Sequence, residues 1–139
     1  MKFFLRTFFT FLLSIIAFVF IFSFYRTPTL IRFSNRVEVY TILDNSNAKI
    51  SIFERGDNPF YTFITGESCA IYDLSLKEVL SILNGKIYHT ERIDNNLSIY
   101  GYSKKLPYAK QAFGKKINFQ IVIKDGYLLL GTPVIYGSY

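Results

Sequence analysis

The sequence is short of the residues on which much of site chemistry depends. Among 139 residues there is one cysteine, Cys69, one histidine, His89, and no tryptophan. One cysteine excludes an internal disulfide and a CxxC redox pair. A lone cysteine and a lone histidine also leave a structural zinc site without its usual ligands. No metal or cofactor is expected. A catalytic pair of Cys69 as nucleophile and His89 as base is conceivable. Both fall in strand-like segments, however, and nothing in their spacing brings them together. No internal repeat and no low-complexity tail is present.

Charge is also scarce where a nucleic-acid reader would need it. The formal net charge is +6. Lys2, Arg6, Arg26, Arg32 and Arg36 carry most of it, and they flank one apolar run. Residues 37–139 hold 11 basic against 10 acidic residues. The basic excess therefore belongs to a membrane boundary rather than a binding face.

What is abundant is apolar and aromatic: 15 phenylalanines, 11 tyrosines and half of all residues hydrophobic. The composition supports one compact domain with a core, not a disordered chain. The longest apolar run lies at the start. Residues 7–25 carry no charge and span roughly 28 Å as a helix, close to the hydrocarbon thickness of about 30 Å. Phe22-Ser23-Phe24-Tyr25 puts bulky rings where a signal peptidase needs small side chains. An uncleaved anchor over 1–25 is therefore preferred to a cleaved signal or a buried core helix. A pilin-like start lacks its processing glycine and its glutamate. Basic residues flank both ends of the run, and positive-inside counting slightly favours a cytoplasmic C-terminus. The short basic start argues the other way, for an N-terminus inside and a domain outside.

Residues 26–36 read as a linker broken by Pro28. Strand-like segments follow at 37–42 and 48–53, then 60–65 and 68–72 as a further pair with Gly66 as its stop. The period then changes. Leu76, Val79, Leu80 and Leu83 form a helical stripe, Ser75 and Glu78 have capping-box spacing, and Gly85 fits a left-handed stop. A helix is expected over 75–84. Strands resume at 86–92 and 97–103 around a DNN turn. A basic loop occupies 104–116, and 117–124 begins a last hairpin through Asp125-Gly126. The order implies an α+β domain over 37–139, an antiparallel sheet packed on one helix.

The C-terminal stretch INFQIVIKDGYLLLGTPVIYGSY resembles the end of the YwmB-like, or TATA-box-binding-protein-like, family of Firmicutes. The residues that carry the resemblance are Asn118, Gln120, Lys124, Gly131, Thr132, Pro133 and Tyr139. The stretch LKEVLSILNGKIYHTERIDNNLSIYGYS fits the same order of elements. Members are usually longer, and Val122 stands where they usually have alanine. The resemblance implies a curved half-saddle that a homodimer would complete. It brings no catalytic residues, and its fold name does not imply DNA binding.

The strongest candidate site is the basic loop, with Lys104, Lys105, Tyr108, Lys110, Phe113, Lys115 and Lys116. Its charge suits anionic lipid, an anionic envelope polymer or, less favourably, nucleic acid. A solvated loop accounts for the same lysines. Glu54 and Asp57 in a turn, and Asp73 and Glu78 at the helix start, read as turn and capping residues. Arg55-Gly56-Asp57 and the sequon Asn96-Leu97-Ser98 are short enough to arise by chance. Gly131-Thr132-Pro133 is expected to bend or end a strand. Tyr127, Tyr136 and Tyr139 suggest an aromatic patch or a sheet rim. The reading that follows is a non-enzymatic, membrane-anchored envelope protein whose domain binds a protein or envelope partner. The alternatives are an enzyme acting on envelope material, or a cytoplasm-facing binder of nucleic acid or anionic lipid.

Overall fold

The computed structural model of the chain describes residues 2–23, 26–42, 48–58 and 64–136. The first helix, α1, covers Lys2–Ser23. Its segment Phe4–Ser23 has mean hydropathy 2.3 and none of it is buried. Side chains such as Phe8, Phe11, Ile16 and Phe20 are exposed around the whole circumference. A helix apolar on all sides suits lipid, not a half-wet surface. Its few hydroxyls are satisfied internally: Thr10, Ser14 and Ser23 donate to the carbonyls of Arg6, Thr10 and Val19. Such back-bonding removes the polar groups that hydrocarbon would penalise.

The segment expected as a linker is part of the domain. It holds a 3-10 helix, Thr29–Arg32, whose Leu30 is fully buried. Phe33 joins the same core. Strands β1 (Arg36–Ile42), β2 (Ala48–Glu54) and β3 (Ile64–Ile71) follow. β3 continues through Gly66, which was expected to stop a strand, with its register against β1 shifted at Thr65. A Cβ at Gly66 would meet the Tyr136 ring and the Thr132 carbonyl. The glycine is there for close approach rather than for a turn. The preceding expected strand, 60–65, lies largely outside the described residues.

Helix α2 spans Leu76–Leu83 with Ser75 as N-cap and both arms of the capping box formed. Ser75 N–H and hydroxyl donate to Glu78, which holds the Glu78 carboxyl below its usual range. The left-handed stop is Asn84 (φ 48°), not Gly85. Asparagine tolerates that region, and Gly85 is needed because a Cβ there would strike the Phe119 ring.

The chain continues through β4 (Lys86–Ile93), β5 (Asn96–Tyr102), β6 (Lys110–Ala112), β7 (Lys115–Ile117), β8 (Phe119–Lys124) and β9 (Tyr127–Thr132). Seven strands make one antiparallel sheet in the order β2-β1-β3-β9-β8-β5-β4, and β6–β7 is a separate hairpin. α2 carries the chain from mid-sheet to the β4 edge and buries Val79 and Leu83. Against them pack Val37, Val39, Cys69, Ile71, Ile99, Phe119, Ile121 and Leu130. The α+β class and the helix-on-sheet arrangement thus hold.

Asn118 separates β7 from β8. Its side chain accepts from Ser103 N–H and donates to the Ser103 and Leu106 carbonyls. Its backbone N–H still donates to the Gly101 carbonyl, and the strand expected from residue 117 is divided at Asn118, with β8 beginning at Phe119.

The opposite face of the sheet carries a cross-strand row in register. It runs Glu38, Ser68, Gly131, Gln120, Tyr100 and His89. Tyr40 hydroxyl bonds Glu38 and Ser68, and Gln120 amide donates to Tyr100. After β9 the chain turns at a cis Thr132–Pro133 bond and folds back over this row. Ile135 fills the space that a Gly131 Cβ would need, and its N–H donates to Gln120. The expected strand end at Gly131-Thr132-Pro133 is therefore observed, and its bend covers the polar row.

Candidate functional site

The candidate site grows from an irregularity at the β4 edge. β4 pairs with β5 as Ile87↔Gly101 and then His89↔Tyr100, which leaves Tyr88 as an extra residue. A bulge of this kind re-aims the side chain it carries. Gly101 permits the tight backbone there, because a Cβ would meet both the Lys86 carbonyl and the Phe119 ring. Tyr88 and Tyr102, with Lys86, Lys115 and Lys116, line an open groove of about 450 Å³. The Lys115 ammonium lies 4.9 Å from the Tyr88 ring centre and that of Lys86 5.8 Å from it. Lys116 lies 6.0 Å from the ring centre of Tyr102. Ring quadrupoles attract cations at these distances, which orders long lysine side chains.

The hairpin that supplies two of these lysines was expected as a loop. It turns at Phe113-Gly114, both at positive φ. Phe113 stacks on His89 with centroids 3.9 Å apart and lies 4.9 Å from Tyr100. The phenylalanine that sequence reading assigned to a partner is thus spent on docking the hairpin to the sheet. His89 lies 3.9 Å from Glu91, which also accepts from Tyr100.

The other expected site residues separate. Lys104 and Lys110 are exposed and outside the groove. Lys105 donates to the Ile82 carbonyl at the end of α2. Tyr108 is half-buried against the core, and its hydroxyl is bonded by Arg26. Burial pushes its pKa up to about 12, Glu67 adds to the rise and Arg26 opposes it. Only Lys115 and Lys116 of the seven line the groove. Lys86, Tyr88 and Tyr102 were missed, because alternation identifies a strand but not which strand sits beside a distant hairpin.

Tyr108 instead belongs to a junction behind the apolar helix. Glu67 is fully buried on the core side of β3. Its carboxylate accepts from Leu30 N–H at 2.8 Å and from Thr29, at the open end of the 3-10 helix. Burial raises its pKa, and the bonds from Thr29 and Leu30, with the Arg32 charge, oppose the rise. One oxygen, Oε1, is buried with no partner among the described residues. Arg55 reinforces the junction by donating to the Ile31 carbonyl. This occupies the arginine of Arg55-Gly56-Asp57, while Asp57 accepts from Glu54 N–H.

Cys69 and His89 are not brought together. Cys69 pairs with Leu130 on the core side, whereas His89 belongs to the row on the opposite face. Burial, then the Glu67 charge, pushes the thiol up to about 12, so it stays protonated. Among the described residues no group of three or more His, Cys, Asp or Glu is placed to hold a metal ion. The tyrosines divide as well. Tyr127 packs on Tyr72 and Tyr136 on Tyr40, and Tyr139 lies outside the described residues. A second concavity of about 400 Å³, lined by Arg36, Glu38, Ser68, Tyr72, Lys124 and Tyr127 among others, opens on the polar face.

No protein-family model matches this chain, and no curated protein or solved structure is significantly similar to it.

Proposed function

We propose that the chain is a single-pass membrane protein whose α+β domain faces outward and binds a partner at the cell envelope without catalysing a reaction. The observation that carries this reading is the junction of anchor and domain. Three residues beyond Ser23, Arg26 bonds Tyr108, and four further on Leu30 is tied to Glu67. So short a tether holds a binding face close to the bilayer and raises its effective concentration against envelope partners.

Topology tests the reading. Alkaline phosphatase and a fluorescent protein are fused in parallel to the C-terminus, and the membrane fraction is followed. Active phosphatase with dark fluorescence is expected. Bright fluorescence with inactive phosphatase would place the domain in the cytoplasm and remove the envelope role.

The YwmB-like resemblance and its half-saddle belong to the same proposal. Two copies would join through an edge strand, and β2 exposes Ile50 and Ile52 beside its edge. Light scattering on the full chain in detergent is expected to read two copies per micelle. A single copy at all concentrations would discard the completed saddle.

A further inference from the structure

We infer that the groove between β4, β5 and the β6–β7 hairpin binds an anionic polysaccharide, a chain of sugars bearing carboxylate or phosphate groups. The inference rests on the reading of the domain as a binding module and specifies its ligand class. Three ammonium groups, from Lys86, Lys115 and Lys116, converge on one concavity. Among the described residues none of the three has a carboxylate within ion-pair distance. Like charges gathered without counter-charges repel one another, and a bound anion relieves that repulsion.

The convergence is built into the fold. The bulge aims Tyr88, Gly101 admits the close backbone, and Phe113 clamps the hairpin onto His89 and Tyr100. Lysines held over tyrosine rings lose less side-chain freedom when an anion arrives. An open groove admits a chain, whereas an enclosed pocket would suit a small molecule.

Two other polyanions fit less well. Single-stranded nucleic acid binds by stacking bases on aromatic faces. Here Lys86 and Lys115 lie over Tyr88, and Lys116 over Tyr102. A stacking base would displace an ammonium that its own phosphate needs. A bilayer presents its anions in a plane, and these ammoniums line a concavity. A sugar chain brings hydroxyls for the two tyrosine hydroxyls and anions for the lysines, and leaves the cation–ring contacts in place.

The test uses the full chain in nanodiscs of neutral phosphatidylcholine. Polygalacturonate is the probe, neutral dextran the control, and affinity is read at low and high salt. Polygalacturonate is expected to bind, more weakly as salt rises, and dextran not to bind. Replacing Lys86, Lys115 and Lys116 together by glutamine is expected to weaken binding about tenfold or more. The same change at Lys49, Lys77 and Lys110 removes equal charge away from the groove and is expected to alter binding less than about twofold. Arginine at the three groove positions is expected to retain binding. Phe113→Ala keeps every charge and is expected to weaken binding by releasing the hairpin.

Absence of polygalacturonate binding would overturn the proposal, as would equal losses from the two lysine sets. Tighter binding of single-stranded DNA or of phosphatidylserine vesicles, with the same dependence on Lys86, Lys115 and Lys116, would reassign the groove. A cytoplasmic result from the topology fusions removes the envelope role and leaves this binding test standing. An outward domain that ignores polygalacturonate removes the groove assignment alone.

Discussion

Phe119→Ala is expected to destabilise the domain by about 3–5 kcal/mol. The ring is fully buried and occupies the space left by two glycines, Gly85 after α2 and Gly101 in β5. It thus joins the helix end, the β4–β5 bulge and β8 in one contact. Removing it leaves a cavity that three elements must collapse to fill, and sheet and helix move little. At ~4–8 °C per kcal/mol for a domain of this size, the thermal midpoint should fall by more than about 10 °C. Circular dichroism of the full chain in detergent reads this directly. Gly101→Ala tests the same contact from the other side, since its new methyl group meets the Phe119 ring and the Lys86 carbonyl. In a Phe119→Ala background the ring clash is gone and only the carbonyl clash remains. The double variant should therefore lose less than the sum of the singles. A Phe119→Ala midpoint equal to the parent's would refute this account of the core.

The second large effect concerns Glu67. Glu67→Ala leaves the N–H groups that its carboxylate now accepts buried without an acceptor, at a cost of about 1–3 kcal/mol for each. Its pH signature separates it from an ordinary core substitution. Burial raises the Glu67 pKa, so the folded domain favours the protonated form. Its contribution to stability is complete below the usual glutamate range and is lost as pH rises through the raised pKa. Denaturant midpoints of the parent should fall along that interval relative to those of Glu67→Gln, which has no charge to bury. Parallel pH profiles for the two would show that the carboxyl does not titrate within the fold. Because Leu30 is its partner, weakening this contact should also expose the segment behind the apolar helix. Protease cleavage within residues 26–36 of Glu67→Ala would report it.

Local chemistry made several elements legible. A charge-free apolar run long enough to cross hydrocarbon is read from composition alone. Ser75 and Glu78 specify a helix start because the capping box closes within one turn. Asp125-Gly126 specifies a hairpin because its geometry is set within two residues, and Gly126 adopts the positive φ the turn needs. Gly66 and Gly85 were misread for the opposite reason. Each admits a side chain distant in sequence, Tyr136 or Phe119, and no local pattern carries that requirement.

The candidate site divides along the same line. The excess of lysine at 103–116 was visible, and with it Lys115 and Lys116. By itself the sequence determined an apolar helix, an α+β domain behind it and a basic segment near the end of the chain, because each follows from neighbours along the chain. Only the tertiary structure decided that β3 pairs with β9, that Glu67 ties down the supposed linker, and that Lys86, Tyr88 and Tyr102 complete the groove. Those pairings depend on strand order, register and a bulge, which arise when distant segments compete to bury the same core.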